Sequence, residues 1–476
     1  MTLTAETVTS QTVTTPHVTV ETGAATDRLT AFDELDARLR GSLHTPDDPA
    51  YAELVTPWNL THQMQPAAVV AARTAEDVAQ TVRFAAEQGW TVGVQATGHG
   101  AVASLAGHVL VSTRGLDEIA IHPEGWARVG AGVKWLPVIE AAARYGLAPL
   151  NGSSSDVGVV GYTTGGGVGP MTRTFGLAAD KVRAFDVVTG DGVLRRASAT
   201  ENPDLFFALR GGKGAVGIVT AVEFDLIPMR TFFGGALYFD GADVATVVER
   251  WRAWSQTLPE QATTSFALLR LPPMPDVPPP LAGKLSLSVR FAWTGDDEEG
   301  ERLLAPMRSV APLLIDDVAV KPYPEIDSVH RDPVDPMPVI EGTRLLNAFP
   351  AEAADALLAQ AGLGAETNLV IVEIRQLGGA YARDNGHPTA FDHRGAAFSV
   401  LTVGVSMDPS TVPSAERVLG ALDDWDTGGV WPNFASPHDA ASAKRAYTEA
   451  TLQRISEIRR RYDPNGVLQA GSYVGS

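Results

Sequence analysis

The 476-residue chain contains no cysteine. That single absence excludes disulfides, thiolate zinc sites, iron–sulfur clusters and cysteine nucleophiles. Basic residues are also in short supply: 37 Lys and Arg stand against 56 Asp and Glu, a formal net charge of −19. Nucleic acid and anionic membrane surfaces are bound through clustered Lys and Arg, so neither is an expected partner. A small uncharged or weakly basic molecule suits the balance better. No run of about eighteen apolar residues occurs, so no segment reads as a membrane-spanning helix. The first 26 residues hold neither Lys nor Arg and no apolar block, unlike a secretory signal. Residues 1–29 read as a tail, and the protein as soluble and cytoplasmic.

What is present is ordinary for a globular chain: 45% hydrophobic and 20% charged residues, in a length too great for one simple core. Two domains are expected. From Ala67, "AAVVAA" reads as a short strand, and Thr74 with Asp77 as a capping box opening a helix. Val78, Val82 and Ala86 give that helix one apolar stripe before Gly89 ends it, and "WTVGVQA" follows as a second strand. The proline-rich 271–283 stretch, "LPPMPDVPPPLAG", reads as an extended surface loop. Around it, "KLSLSVRFAW" and "NLVIVEIRQLGGA" alternate as strands, with "GDDEEGERLLAPMRSV" as a helix between them. A mostly antiparallel sheet with helices on one face accounts for this half. Near the end, "SAKRAYTEATLQRISEIRRRYDP" reads as a basic amphipathic helix stopped at Asp463-Pro464.

Four stretches are rich in glycine. "TGDGV" between two strands is a hairpin turn at Gly190 and Gly192. "TGHGA", "GSSSDVGVVGYTTGGGVG" and "RGGKGAVGIV" carry more glycine than a turn needs. Such loops either bring main-chain N–H groups against a phosphate-bearing cofactor or are simply tight turns, and composition leaves both open. Gly98-His-Gly100-Ala-Val-Ala103 fits the dinucleotide pattern loosely, but a strand follows it where a Rossmann unit needs a helix. A P-loop is excluded because neither Lys213 nor Lys284 precedes Ser or Thr, and no G-x-S-x-G elbow marks a serine hydrolase. His99 and His108 lack the short ligand spacing of a metal site, so no metal is expected. His99 alone is either an ordinary hydrogen-bonded histidine or, between two glycines, an imidazole that a large flat ligand can approach.

Taken in order, "QATGHGAVASLAGHVLVST", "GSSSDVGVVGYTTGGGVGPMTRTFGLAADKV", "FDVVTGDGVL", "DLFFALRGGKGAVGIVTAVEFDL", "VEIRQLGGA", "WPNFAS" and "RRRYDPNGVL" resemble the berberine bridge enzyme-like FAD-linked oxidases. These belong to the vanillyl-alcohol oxidase, or p-cresol methylhydroxylase, superfamily, and the resemblance runs from about residue 55 to 475. It implies an α+β, two-domain PCMH-type fold. The FAD-binding domain would comprise residues 30–230 with the C-terminal segment 425–476 returning to it, and the substrate domain 231–424.

The resemblance further implies FAD bonded covalently through His99, with Gln95, Ala96, Thr97, Gly98 and Gly100 around the tether and pyrophosphate. Ser154 stands where many members carry a second, cysteinyl link, so one bond is expected. Gly158, Gly161, Tyr162 and Gly166 would line the flavin in the long glycine loop, Gly217 and Val219 would meet it through main chain, and Asn433 would contact the ring. Tyr162 replaces a histidine that many relatives place beside the flavin. Glu373 takes the place of the catalytic base, with Arg375 on the same strand face; a solvent-facing Glu and Arg pair on an edge strand is the alternative. The implied activity is hydride removal from a small alcohol or phenol of secondary metabolism, with O2 as the oxidant. Carbohydrate oxidation, a dehydrogenase with another acceptor and a non-catalytic flavin-binding protein stay open.

Overall fold

The computed structural model describes residues 30–100, 105–384, 386–434 and 444–469. The tail up to residue 29, Ala101–Ala103 of the loose dinucleotide pattern, and the end of "WPNFAS" lie outside the described residues.

Four short strands come first: β1 (Ser42–His44), β2 (Ala68–Ala71), β3 (Val92–Gln95) and β4 (Val109–Ser112), in the order β1-β2-β4-β3. Strands β2, β4 and β3 are parallel, linked by the helix Ala75–Gln88. Thr74 and Asp77 form the reciprocal capping box at its start, and Gly89 closes it in the left-handed conformation at φ 66°. Asp77 also accepts from the backbone N–H of Arg40 at 2.7 Å, so one buried cap fixes two segments.

The chain continues through β5 (Ile119–His122), β6 (Trp126–Gly130), β7 (Leu147–Ala148), β8 (Val182–Val188), β9 (Leu194–Ser198), β10 (Ile218–Asp225) and β11 (Ile227–Pro228). Five of them make an antiparallel sheet, β5-β6-β10-β8-β9, while β7 pairs with β11. The Gly190-Asp-Gly192 turn joins β8 to β9 as a hairpin.

An all-antiparallel sheet follows, built from β12 (Thr231–Asp240), β13 (Ala262–Arg270), β14 (Leu285–Trp293), β15 (Leu313–Asp316), β16 (Ala319–Pro322), β17 (Val339–Leu346), β18 (Ile371–Gln376) and β19 (Phe398–Val405). Its order is β15-β12-β14-β13-β18-β19-β17, with β16 also on β12. Period-two alternation divides its faces. Phe266, Leu268, Leu287, Val289, Val372 and Ile374 pack under the helices Val244–Ser255, Asp297–Arg308, Ala351–Ala361 and Thr411–Gly420. The opposite face carries Ser265, Arg290, Glu373 and Arg375. Residues 271–283 form the expected loop. The terminal helix spans Glu449–Tyr462, shorter than its sequence pattern, because Thr448 caps it by accepting from Thr451 N–H. Among the described residues, no helix is long and apolar enough to cross a membrane.

Candidate active site

The loop after β3 is pressed against residues 56–60. Trp58 N–H donates to Thr97 O at 2.9 Å, and a Cβ on Gly98 would lie 2.5 Å from Pro57 Cα, so only glycine fits at its φ of 80°. His99 stacks on Trp58 with ring centroids 4.5 Å apart, and its Nδ1 lies 2.9 Å from Thr97 Oγ1. Burial pulls the imidazole down to about 4, so it is neutral near pH 7, the form in which a ring nitrogen is a nucleophile. Gln95 is buried, its Nε2 donating to Val55 O at 3.3 Å, and Gly158 brings the helix Val159–Thr164 against the Ala96 and Thr97 side chains. Around Gly100 and Gly161 there is open space: among the described residues a Cβ on either would meet nothing within 4 Å.

The remaining glycine-loop residues are packed by the protein's own groups. Gly166 faces Phe391, and Gly165 leaves room for Asn433 and the Lys213 stem. Gly217 packs on Val187, and the Val219 side chain, on β10, lies in the core, so main chain is what these two can offer a ligand. Ser154 is buried, its Oγ accepting from Asp156 N–H at 3.3 Å. Tyr162 lies edge-on to Trp135, its hydroxyl is buried without a partner, and burial raises its pKa, so the phenol stays protonated. Asn433 donates to Tyr162 O at 2.9 Å and accepts from Lys213 Nζ.

Glu373 and Arg375 share one face, as alternation requires, but β18 is an interior strand and both residues are 3% exposed. The edge-strand alternative is therefore wrong. Register aligns Arg290, Ser265 and Arg375 across β14, β13 and β18, and sets Ala267 beside Glu373. Small residues on the middle strand let the Arg290 side chain reach across: its Nη1 donates to Glu373 Oε1 at 2.8 Å, and Arg375 Nη2 lies 3.1 Å from Oε2. Arg375, Arg290 and His330 hold the carboxyl well below the usual carboxylate range although burial alone would raise it. His330 follows the 3-10 helix Tyr323–Val329; its Nε2 lies 3.1 Å from Arg375 Nη2, and burial pulls it down to about 4. Since arginine can only donate, Nε2 accepts, and the hydrogen of the neutral ring sits on Nδ1.

These groups enclose a cavity of about 10 Å³, lined by Gly169, Thr263, Ser265, Arg290, His330 and Arg375 among others. Four of them present polar atoms with no partner among the described residues: Thr263 Oγ1, Ser265 Oγ, His330 Nδ1, and Arg375 Nε and Nη1. Two guanidinium groups and one carboxylate leave the cluster a net positive charge. Arg290 and His330 escaped sequence reading. Arg290 had one signal, a lone charge inside the apolar alternation "SLSVRFAW"; His330, in the loop "SVHRDP", had none.

Residues 66–198 match the family of FAD binding domains. The chain is 29% identical over 306 residues to (R)-6-hydroxynicotine oxidase of Paenarthrobacter nicotinovorans, covering 62% of this chain and 64% of that relative, so under two thirds of its length. To the FAD-linked oxidoreductase sorD of Penicillium rubens it is 26% identical over 453 residues, 89% of this chain and 93% of the relative. The fold matches that of BBE-like 1 of Physcomitrella patens with a TM-score of 0.81 at 19% identity, over 93% of this chain and 99% of the other. The chain thus carries an FAD binding domain and is similar, in sequence and in fold, to FAD-linked oxidoreductases of the vanillyl-alcohol oxidase and p-cresol methylhydroxylase superfamily. The FAD implied by the resemblance fits these loops: among the described residues open space lies at Gly100, next to the part-buried His99, and at Gly161.

Proposed function

We propose that the protein oxidises a small hydroxyl-bearing substrate, an alcohol or phenol, with FAD tethered through His99 alone. Residues 30–230 and 425–476 hold the cofactor in this reading, and 231–424 carry the substrate. The observation that carries it is the small cavity on the polar face of the large sheet: Ser265, Thr263, His330 and Arg375 line it, each has a buried polar atom without a partner among the described residues, and its space of about 10 Å³ suits a single oxygen-sized group. Buried polar groups without partners cost stability unless a ligand completes them. Hydroxyls, an Nδ1–H and a guanidinium with net positive charge suit an oxygen that gains negative charge as its proton leaves. Bound FAD would supply the acceptor for a hydride: from the carbinol carbon of an alcohol, so that H–C–O–H becomes C=O, or from a para-alkyl carbon of a phenol, whose own hydroxyl-bearing carbon carries no hydrogen.

Glu373 in this reading orients Arg290 and Arg375. It is a weak base, since both guanidiniums stabilise its ionised form, and the substrate proton passes to solvent. Tyr162 acts as a positioning residue through its carbonyl on Asn433. O2 is the proposed final oxidant, taking two electrons and two protons to give H2O2. The test is anaerobic mixing with a panel of alcohols and phenols, followed by admission of air. Bleaching by a member of the panel and return of colour with H2O2 support the reading; no bleaching by any hydroxyl compound defeats it, and bleached protein stable in air defeats the O2 step.

A further inference from the structure

Lys213 lies in the loop between the helix Pro203–Leu209 and β10, and it is a non-glycine residue in the left-handed region, at φ 58°. A side chain is disfavoured there, and the three flanking positions Gly211, Gly212 and Gly214 carry none. Its backbone N–H is fixed on Thr164 O at 2.9 Å. Its Nζ meets two neutral acceptors, Asn433 Oδ1 and, at 3.4 Å, Gly161 O. Among the described residues no carboxylate pairs with it, in a chain with 56 acidic residues. Burial lowers its pKa to about 8, so the ammonium persists near neutral pH. The open space at Gly161 adjoins the same ammonium. A part-buried cation whose partners among the described residues are all neutral gains from an anion that joins it.

We propose that Lys213 is the counter-cation for the negative charge that the isoalloxazine takes up with the hydride, and that it thereby sets the reduction potential of the flavin. This rests on the reading that Gly161, Tyr162 and Asn433 face the flavin. The two electrons and one proton arrive together from the substrate carbon, so the ring gains one negative charge. Asn433 holds the ammonium against the loop, and Gly165 is obligatory because a Cβ would collide with both side chains. Lys213 is a positioning residue for charge and takes no part in bond making.

Lys213→Gly is the decisive variant, because glycine is at ease at this φ and removes the charge without straining the backbone. Lys213→Met serves as a second, stem-preserving deletion, and Lys213→Arg as the conservative control. Each holoenzyme is titrated by dye equilibration for its midpoint potential and with sulfite, whose adduct at the oxidised flavin is also anionic. The expected result is at least tenfold weaker sulfite binding and a tenfold shift against the reduced form, about 30 mV for two electrons, in the glycine and methionine variants, with the arginine variant near wild type. Unchanged potential and sulfite affinity in flavin-loaded Lys213→Gly would overturn the proposal. Flavin loss without a change in potential would also overturn it, since the charge would then serve the pyrophosphate. A wild-type protein purified without flavin would instead defeat the cofactor reading itself.

Discussion

Arg290 donates through Nη1 to Glu373 Oε1 at 2.8 Å, across the intervening strand β13 and with both side chains at 5% exposure or less. Because Arg375 approaches the same carboxylate, one buried negative charge holds two positive ones. Glu373→Gln keeps the shape and removes that charge. Breaking a buried pair while leaving its cation in place costs about 3–5 kcal/mol, so the urea midpoint of this variant is expected to fall steeply. A loss under about 1 kcal/mol, the range of an exposed pair, would show that the arginines are solvated.

Ser265 tests the cavity without disturbing the sheet. Ser265→Ala removes one unpaired hydroxyl and barely changes volume, so the melting temperature should hold. If the hydroxyl supports a developing oxyanion, kcat falls about 10²-fold. Equal turnover in the variant would take Ser265 out of the site.

His99→Ala should leave the acid-precipitated protein colourless, with any flavin in the supernatant, whereas wild type keeps its yellow colour in the pellet. Yellow wild-type supernatant would refute a covalent tether.

The pH response of His330 has a fixed sign. Its folded pKa, about 4, is below the unfolded value of about 6.5. The unfolded chain therefore binds the proton first, and stability is lost as pH falls through that window. The loss at its acid end is of the order of 3 kcal/mol. His330→Asn should flatten this part of the urea-stability profile relative to wild type; parallel profiles would place the titration elsewhere.

Glu341 on β17 has the opposite sign. Burial and the neighbouring Asp332 raise it to about 7, so its folded form holds a proton that the unfolded chain releases, and stability falls as pH rises between the two values. Glu341→Gln is expected to raise the melting temperature at about pH 8 and to leave it unchanged at about pH 3.5, below the unfolded value. A gain at both would indicate packing rather than charge.

Local patterns determined much of this protein. The Thr74 and Asp77 cap, the Gly89 stop, the Gly190–Gly192 hairpin and the shared face of Glu373 and Arg375 depend on residues within a few positions of one another, where periodicity and capping act directly. The run of glycine motifs likewise carried the family resemblance. Strand order and long-range closure were decided only in the tertiary structure. They turned β18 from a possible edge into an interior strand, brought Arg290 to Glu373 across 83 residues of chain, and brought His330 to Arg375 across 45. They also set Lys213 beside Asn433, 220 residues along the chain. The reason is physical: alternation fixes which face a side chain takes, but register between strands fixes its neighbours, and desolvation of the assembled cluster makes a carboxylate a clamp for two arginines.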